Sequence, residues 1–399
     1  MIELKNTGNK QFETLSIHAG GEDKNPKNAL NYPIFMTSAF TFDSLEHADA
    51  TFGFETEDYV YSRGNNPTLK LLEERTAVLE GGAGSVAFSS GMAAISSVLM
   101  SFLKPGDEVV AHHVLYGSAW NFVKNILPQY NISSKLVNLT DVEELSNQIS
   151  DSTKVIYFET PVNPSLEIID IAAICRVAKE KGVKVVVDNT FATPYFQRPL
   201  DLGVDVVVHS ATKYIGGHGD VIAGIAVAKD KDYILELKFG YMCEFGGAMS
   251  PFTGWLLLRG LKTLGLRMRE HEKNAMAVAE YLESHPRVKK VYYPGLPNFP
   301  GHEIAKAQMQ GFGAMVSFDI DGTVEESKQV VNSMKLFKLA VSLGDCESLV
   351  QHPFAMTHRG YTEEEIAKAG LTPSMIRLSI GLEHHDDLIS DLEQALAKI

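Results

Sequence analysis

From residue 85 the chain moves between two rhythms. Unbroken apolar runs stand at SVAFSS (85–90), DEVVAHH (107–113), KVIYFET (154–160), VKVVVDN (183–189), VDVVVHS (204–210) and AGIAVA (223–228). Between several of them, apolar residues recur every three or four positions. Short runs rich in β-branched residues, without polar alternation, predict strands buried on both faces; the longer rhythm predicts helices. In DIAAICRVAKEKG, Asp170 can cap the start, Ile171, Ile174, Cys175 and Ala178 share one face, and Gly182 can end the helix. The alternation predicts an α/β fold, a mostly parallel sheet covered by helices on both faces.

Two stretches break this pattern. Residues 1–62 are poorly periodic, rich in aromatic and polar residues, and read as an N-terminal arm that contacts a neighbouring subunit. After Trp255 a helical pattern runs through LLLRGLKTLGLRMREHEKNAMAVAEYLESH, followed by strand-like VKKVYYP, GAMVSFDI and MIRLSIGLE. The chain closes on a stripe of Leu388, Ile389, Leu392, Ala395, Leu396 and Ile399. The expected organisation is therefore an arm (1–62), an α/β domain (63–255) and a smaller α+β domain (256–399).

Composition narrows the function. A formal net charge of −14 argues against nucleic acid or an anionic membrane as the main partner, though not against a small anionic ligand. Cys175, Cys243 and Cys346 lie far apart with no CxxC pair, so neither a disulfide framework nor a structural zinc site is signalled. The start, MIELKNTGNKQFETLSIHAG, lacks the apolar stretch of a signal peptide, and no run of 18 apolar residues occurs. A cytoplasmic protein is expected.

Chemistry gathers where the predicted strands end, which is where open α/β sheets bind ligands. SVAF is followed by Ser89-Ser90-Gly91-Met92 at a helix start, DEVVAHHV by Tyr116, and KVIYFETP by Asn163-Pro164. VKVVV is followed by Asp188-Asn189-Thr190, and VDVVVH by Ser210, Thr212 and Lys213. Taken singly, each has a plain reading: a loop lysine, a turn aspartate, a packed tyrosine, an ordinary helix start. Together they offer one ligand a phosphate cradle at a helix N-terminus beside Gly91, hydroxyl donors from Ser210 and Thr212, a ring-stacking Tyr116, and a carboxylate, Asp188, for a protonated ring nitrogen. They also offer an amine, Lys213, whose burial would lower its pKa and ready it for a Schiff base. A phosphate, a pyridinium and an aldehyde in one molecule describe pyridoxal 5′-phosphate (PLP).

The motifs YSRGNNPT, SSGMAAI, YFETPVNP, VVVDNTFATPYFQRPL, SATKYIGGHGD and VSLGDCESLVQHPFAMTH are similar to those of the Cys/Met-metabolism family of PLP enzymes, from SIHAG to RLSIGLE. The resemblance implies an aspartate-aminotransferase-like (fold type I) architecture. It implies that Lys213 bonds the cofactor and, once freed, acts as base. Asp188 would hold the pyridine nitrogen, and Gly91, Met92, Ser210 and Thr212 the phosphate. Tyr116 would stack on the ring and move protons. Tyr61 and Arg63, in YSR, would reach the phosphate of a neighbouring subunit, so the expected assembly is a homotetramer, a dimer of dimers with shared sites. Ser342 and Arg377 would bind the carboxylate of a small amino-acid substrate, with Asn163 near cofactor or carboxylate; an arginine fork matches a carboxylate.

The expected reaction is γ-elimination from L-methionine, L-homocysteine or L-cystathionine, giving 2-oxobutanoate, ammonia and a thiol. The alternative is γ-replacement on an O-acylhomoserine. VSLGDCESLVQHP leans toward methionine γ-lyases, yet Gly117 stands where those lyases carry a cysteine, and Met242-Cys243 where they carry Lys-Asp. GGAGSVA (81–87) precedes a strand, which fails the context of a dinucleotide fingerprint. His112-His113 and His384-His385 lack a third spaced ligand, so no metal is expected; HHDD reads as a helix cap.

Overall fold

The computed structural model describes residues 10–21, 25–356 and 370–399. A seven-stranded sheet comprises β1 (Gly84–Phe88), β2 (Glu108–His112), β3 (Ser133–Val137), β4 (Thr153–Glu159), β5 (Lys184–Asp188), β6 (Val206–Ser210) and β7 (Gly224–Ala228), in the order β1-β7-β6-β5-β4-β2-β3. β2, β3, β4, β5 and β6 pair in parallel; β7 runs antiparallel to both β1 and β6. Each of the six apolar runs becomes a strand. Their lack of alternation is explained by two cores. Along β4, Ile156 and Phe158 enter one core and Val155 and Tyr157 the other; along β5, Val187 and Val186 divide the same way.

β3 has no counterpart among the apolar runs. Its SSKLV sits at the sheet edge with only Val137 buried, so nothing requires an apolar sequence there. The helix Ile171–Lys181 follows its sequence signals closely. Asp170 accepts from the Ala173 N–H at 2.9 Å, Ile171, Ile174 and Ala178 are buried, Cys175 is half-buried, and Gly182 ends the helix at φ 68°.

A second sheet, of order β10-β11-β12-β9-β8, is formed by β8 (Val288–Tyr292), β9 (Met315–Ile320), β10 (Lys338–Leu339), β11 (Leu349–Gln351) and β12 (Met375–Ser379). The long helical pattern before it is two helices, Pro251–Leu261 and Leu264–Ser284; the first runs across residue 255. The break lies where the chain presses on the segment after Lys213. A side chain at Gly260 would meet the Ile215 and Gly216 carbonyl oxygens, each at 2.5 Å. Arg267 then reaches back, donating to the carbonyls of Gly260 (2.9 Å) and Tyr214 (2.7 Å). This buried guanidinium ties the second unit to the loop that carries the lysine. Thr357 and His358, which end one of the quoted motifs, lie outside the described residues, as do residues 1–9 and 22–24 of the arm.

Candidate active site

Lys213 lies three residues beyond the end of β6, and its Nζ donates to Ser342 Oγ at 2.9 Å. Burial lowers the Lys213 pKa, the Arg377 charge lowers it further, and the Asp345 carboxylate opposes both. Ser342 holds φ 121°, which costs a residue with a Cβ on the order of 1–3 kcal/mol, so its surroundings must impose it. They do: the Ser342 carbonyl accepts from Arg377 Nη2 at 2.9 Å, and the following turn is pinned by the Gly344 N–H donating to Ser379 Oγ at 3.0 Å. Gly344 (φ 81°) lies on the lysine's own backbone; a Cβ there would stand 2.7 Å from the Tyr214 nitrogen.

Arg377 is the central residue of β12 and is buried. Its Nη1 donates to Asn163 Oδ1 at 2.7 Å, while its Nε is buried without a partner among the described residues. Burial pulls its pKa down to about 10, so it remains charged at neutral pH. A buried cation with an unused donor is open to an anion. Among the described residues, the structure therefore brings four predicted groups into one hydrogen-bonded series: Lys213, Ser342, Arg377 and Asn163.

Asp188, at the end of β5, is buried and its pKa is raised by that burial. Thr190 steadies it through two bonds, from its N–H at 3.0 Å and from its hydroxyl. Both land on Oδ1, which leaves Oδ2 to a donor from the site. The Thr190 oxygen also accepts from the Ser210 N–H at 2.8 Å, locking the ends of β5 and β6 together.

Beyond the end of β1, Ser90 caps the helix Gly91–Phe102 by accepting from the Ala93 N–H at 3.1 Å. Gly91 opens that helix directly against Ser210: a Cβ there would stand 2.9 Å from the Ser210 Cβ. Met92 is half-buried beside it. Thr212 is close by in sequence, with its hydroxyl exchanging bonds with the Ala223 peptide, donating at 3.2 Å and accepting at 2.9 Å.

Tyr116 is 47% exposed and begins the short helix Gly117–Asn121. Its N–H donates at 3.2 Å to Glu159, a residue that sequence reasoning did not single out. Glu159 ends β4, its other oxygen accepts from the Asn163 N–H at 3.0 Å, and burial beside Asp188 pushes its pKa up to about 8. The signal was available: FET at the end of β4 parallels VDN at the end of β5, an acid terminating a buried strand.

Tyr61 and Arg63 do not join this centre within the chain. They are exposed and line a separate cavity of about 540 Å³ together with Phe54, Lys238, Phe239 and Cys243. Arg63 Nη1 donates to the Cys243 carbonyl at 2.9 Å, and the Cys243 thiol lies against Gly64. The Met242-Cys243 pair therefore belongs to the arm's surroundings, with Met242 in the core. The histidine pairs have local partners: His112 Nδ1 accepts from the Leu139 N–H at 3.2 Å, and His384 Nδ1 accepts from the Asp386 N–H at the start of the helix His385–Leu396.

The donor set fits PLP: a glycine-opened helix start packed on a serine, a buried carboxylate with an oxygen to spare, a lysine of lowered pKa, and an arginine with an orphaned N–H. Comparison with known proteins agrees. The family described as "Cys/Met metabolism PLP-dependent enzyme" matches residues 13–397. The chain is 47% identical to an L-methionine gamma-lyase of Fusobacterium nucleatum over 400 residues, covering 100% of both chains. It is 44% identical to a cystathionine gamma-lyase of Bacillus subtilis, over 97% of this chain and 99% of that one. A solved structure of a putative O-acetylhomoserine (thiol)-lyase from Campylobacter jejuni, containing a pyridoxyl-lysine phosphate, superposes with a TM-score of 0.93 at 34% identity, covering 97% of this chain and 100% of that one.

Proposed function

The chain belongs to the Cys/Met metabolism PLP-dependent enzyme family, and from that premise we propose that it is a carbon–sulfur γ-lyase. The reaction is α,γ-elimination: an L-methionine-type substrate and water give 2-oxobutanoate, ammonia and a thiol, with L-homocysteine and L-cystathionine as further substrates. The observation that carries this reading is the full-length likeness to an L-methionine gamma-lyase and a cystathionine gamma-lyase, and the series Lys213–Ser342–Arg377–Asn163, an amine of lowered pKa linked to a buried guanidinium, supports it.

PLP supplies an electron sink for negative charge developing at the substrate α-carbon. The protein's part is assigned as follows. Arg377 binds the substrate carboxylate, with Ser342 and Asn163 fixing the angle of its fork. Lys213, losing charge more readily than an exposed lysine, takes the α-proton on Nζ; Ser342 Oγ orients that nitrogen. Asp188 would hold the proton of the ring nitrogen. The N–H groups of Gly91 and Met92 and the hydroxyls of Ser210 and Thr212 would receive the phosphate. Tyr116 would stack on the ring and move protons.

Tyr61 and Arg63 act on the phosphate of a second copy in this reading, which makes the enzyme an oligomer, a homotetramer built from dimers. The arm supports it: Leu30 is 95% exposed and Phe54 73%, apolar surface suited to burial against a partner. A cytoplasmic location completes the proposal; no helix among the described residues is long and apolar enough to cross a membrane.

A product assay on the PLP-loaded protein tests the reading. L-Methionine, L-homocysteine, L-cystathionine and O-acetyl-L-homoserine are each offered with and without a thiol. Prompt 2-oxobutanoate from the sulfur amino acids is expected. A thioether formed only from the acyl ester and thiol moves the enzyme to γ-replacement.

A further inference from the structure

Glu159 and Asp188 face each other across β4 and β5 as partners in a parallel register. In-register neighbours leave the same face of a sheet, one strand spacing of about 4.8 Å apart. Two buried carboxyl groups at that range repel when both are charged, and burial itself disfavours the charge. Arg377 from β12 tempers Glu159, His209 from β6 tempers Asp188, and Tyr157, two residues before Glu159 on the same strand, has a buried hydroxyl without a partner among the described residues.

A second acid in this position is costly, so what it holds matters. Glu159 Oε2 accepts from the Tyr116 N–H and Oε1 from the Asn163 N–H. These amides come from opposite sides, one 43 residues upstream and the other four residues downstream. Each amide is met by its own carboxyl oxygen; glutamine presents one oxygen and an NH₂ that would face the second N–H. In the functional reading above, Tyr116 and Asn163 are also the points where the site would meet the cofactor ring and, through Arg377, the substrate carboxylate.

We propose that Glu159 is a positioning residue of the active site: its carboxyl group fixes the Tyr116 backbone and the Asn163–Arg377 pair at a set separation around Asp188. The inference rests on the functional reading above and deepens it. Glu159 acts through these residues; it keeps the ring-covering tyrosine and the carboxylate receptor from shifting relative to one another.

The test is Glu159→Gln in the PLP-loaded enzyme. Both kcat and KM for L-methionine should worsen, with a combined loss on the order of 10–100-fold, the range expected when a reacting group is displaced by about 1 Å. The visible circular dichroism of the bound cofactor, which reads the asymmetry of its surroundings, should shrink. Glu159→Asp keeps two oxygens but is one methylene short, so it should show the same losses; it carries the test if the glutamine variant fails to fold. A folded, PLP-loaded variant with wild-type kcat, KM and circular dichroism overturns the proposal. If the wild type binds PLP without eliminating any sulfur amino acid, the functional reading fails, and the circular dichroism comparison still decides the role of Glu159.

Discussion

Two parts of this molecule handle polar groups in opposite ways. Around Lys213, charged side chains are buried and bonded to neutral hydroxyl, amide and backbone groups; Arg377, Asp188 and Glu159 are each less than a tenth exposed. Around Tyr61 and Arg63, aromatic and charged groups stand open over a cavity, with apolar surface exposed nearby. Burying an ionised group is favourable only with partners in place. The first region supplies its own partners from β4, β5, β6 and β12, so one chain builds it. In the second, Arg63 has a partner within the chain, the Cys243 carbonyl, yet Tyr61 and Arg63 stay exposed, as the proposed role of the arm at a site on another copy requires.

The largest effect is expected at the lysine. Lys213→Ala should lower turnover by about 10³-fold or more, the upper range for losing a positioned base that also anchors its cofactor, and should abolish the yellow colour of the loaded protein. Next, Arg377→Ala should raise KM on the order of tenfold to a hundredfold, as expected for losing charge-assisted bonds of about 1.5–3 kcal/mol. An unchanged KM would remove Arg377 from the carboxylate role. The arm predicts a different behaviour. Arg63→Ala should lose activity without losing its fold, and mixing it with Lys213→Ala under subunit exchange should restore part of the activity, because a hybrid dimer contains one intact shared site. No recovery after verified exchange would mean that each chain is self-sufficient.

A smaller, pH-dependent effect separates the buried acids from the exposed ones. With its pKa raised from 4.5 to about 8, Glu159 keeps a proton in the folded protein that the unfolded chain has released. Its contribution to stability is present at low pH and is lost as pH rises through that window, at no more than about 1.4 kcal/mol per pH unit. Denaturant unfolding of the cofactor-free protein should show this decline, with a shallower slope in Glu159→Gln. Equal slopes would place the titration elsewhere. The smallest effect is a control on a cap whose side chain bonds none of the candidate site residues: Asp170→Ala should cost about 1 kcal/mol of stability with kcat and KM unchanged.

What the sequence disclosed follows the same division. Strands buried on both faces must be apolar throughout, so β1, β2, β4, β5, β6 and β7 stood out, and the polar successors of all but the antiparallel β7 marked the rim of the candidate site. β3, at an exposed edge, needed no such pattern. The helical rhythm after Trp255 did not reveal a break at Lys262-Thr263, beside a close approach of the Ile215–Gly216 backbone to Gly260 that no local pattern encodes. Glu159 was missed for a related reason. Its meaning depends on strand register with Asp188 and on the amide of Tyr116, neither of which is a local property of YFETP. Ser342 was found through a motif alone; its positive φ and its bond to Lys213 are visible only in three dimensions.

The most direct measurement is chemical reduction of the PLP-loaded protein with borohydride, followed by peptide mapping. Reduction converts a lysine–cofactor bond into a stable adduct. The account predicts the pyridoxyl phosphate mass on the peptide containing Lys213, and on no other lysine at comparable yield. An adduct on a different lysine, or none from a protein that retains the cofactor, would contradict it.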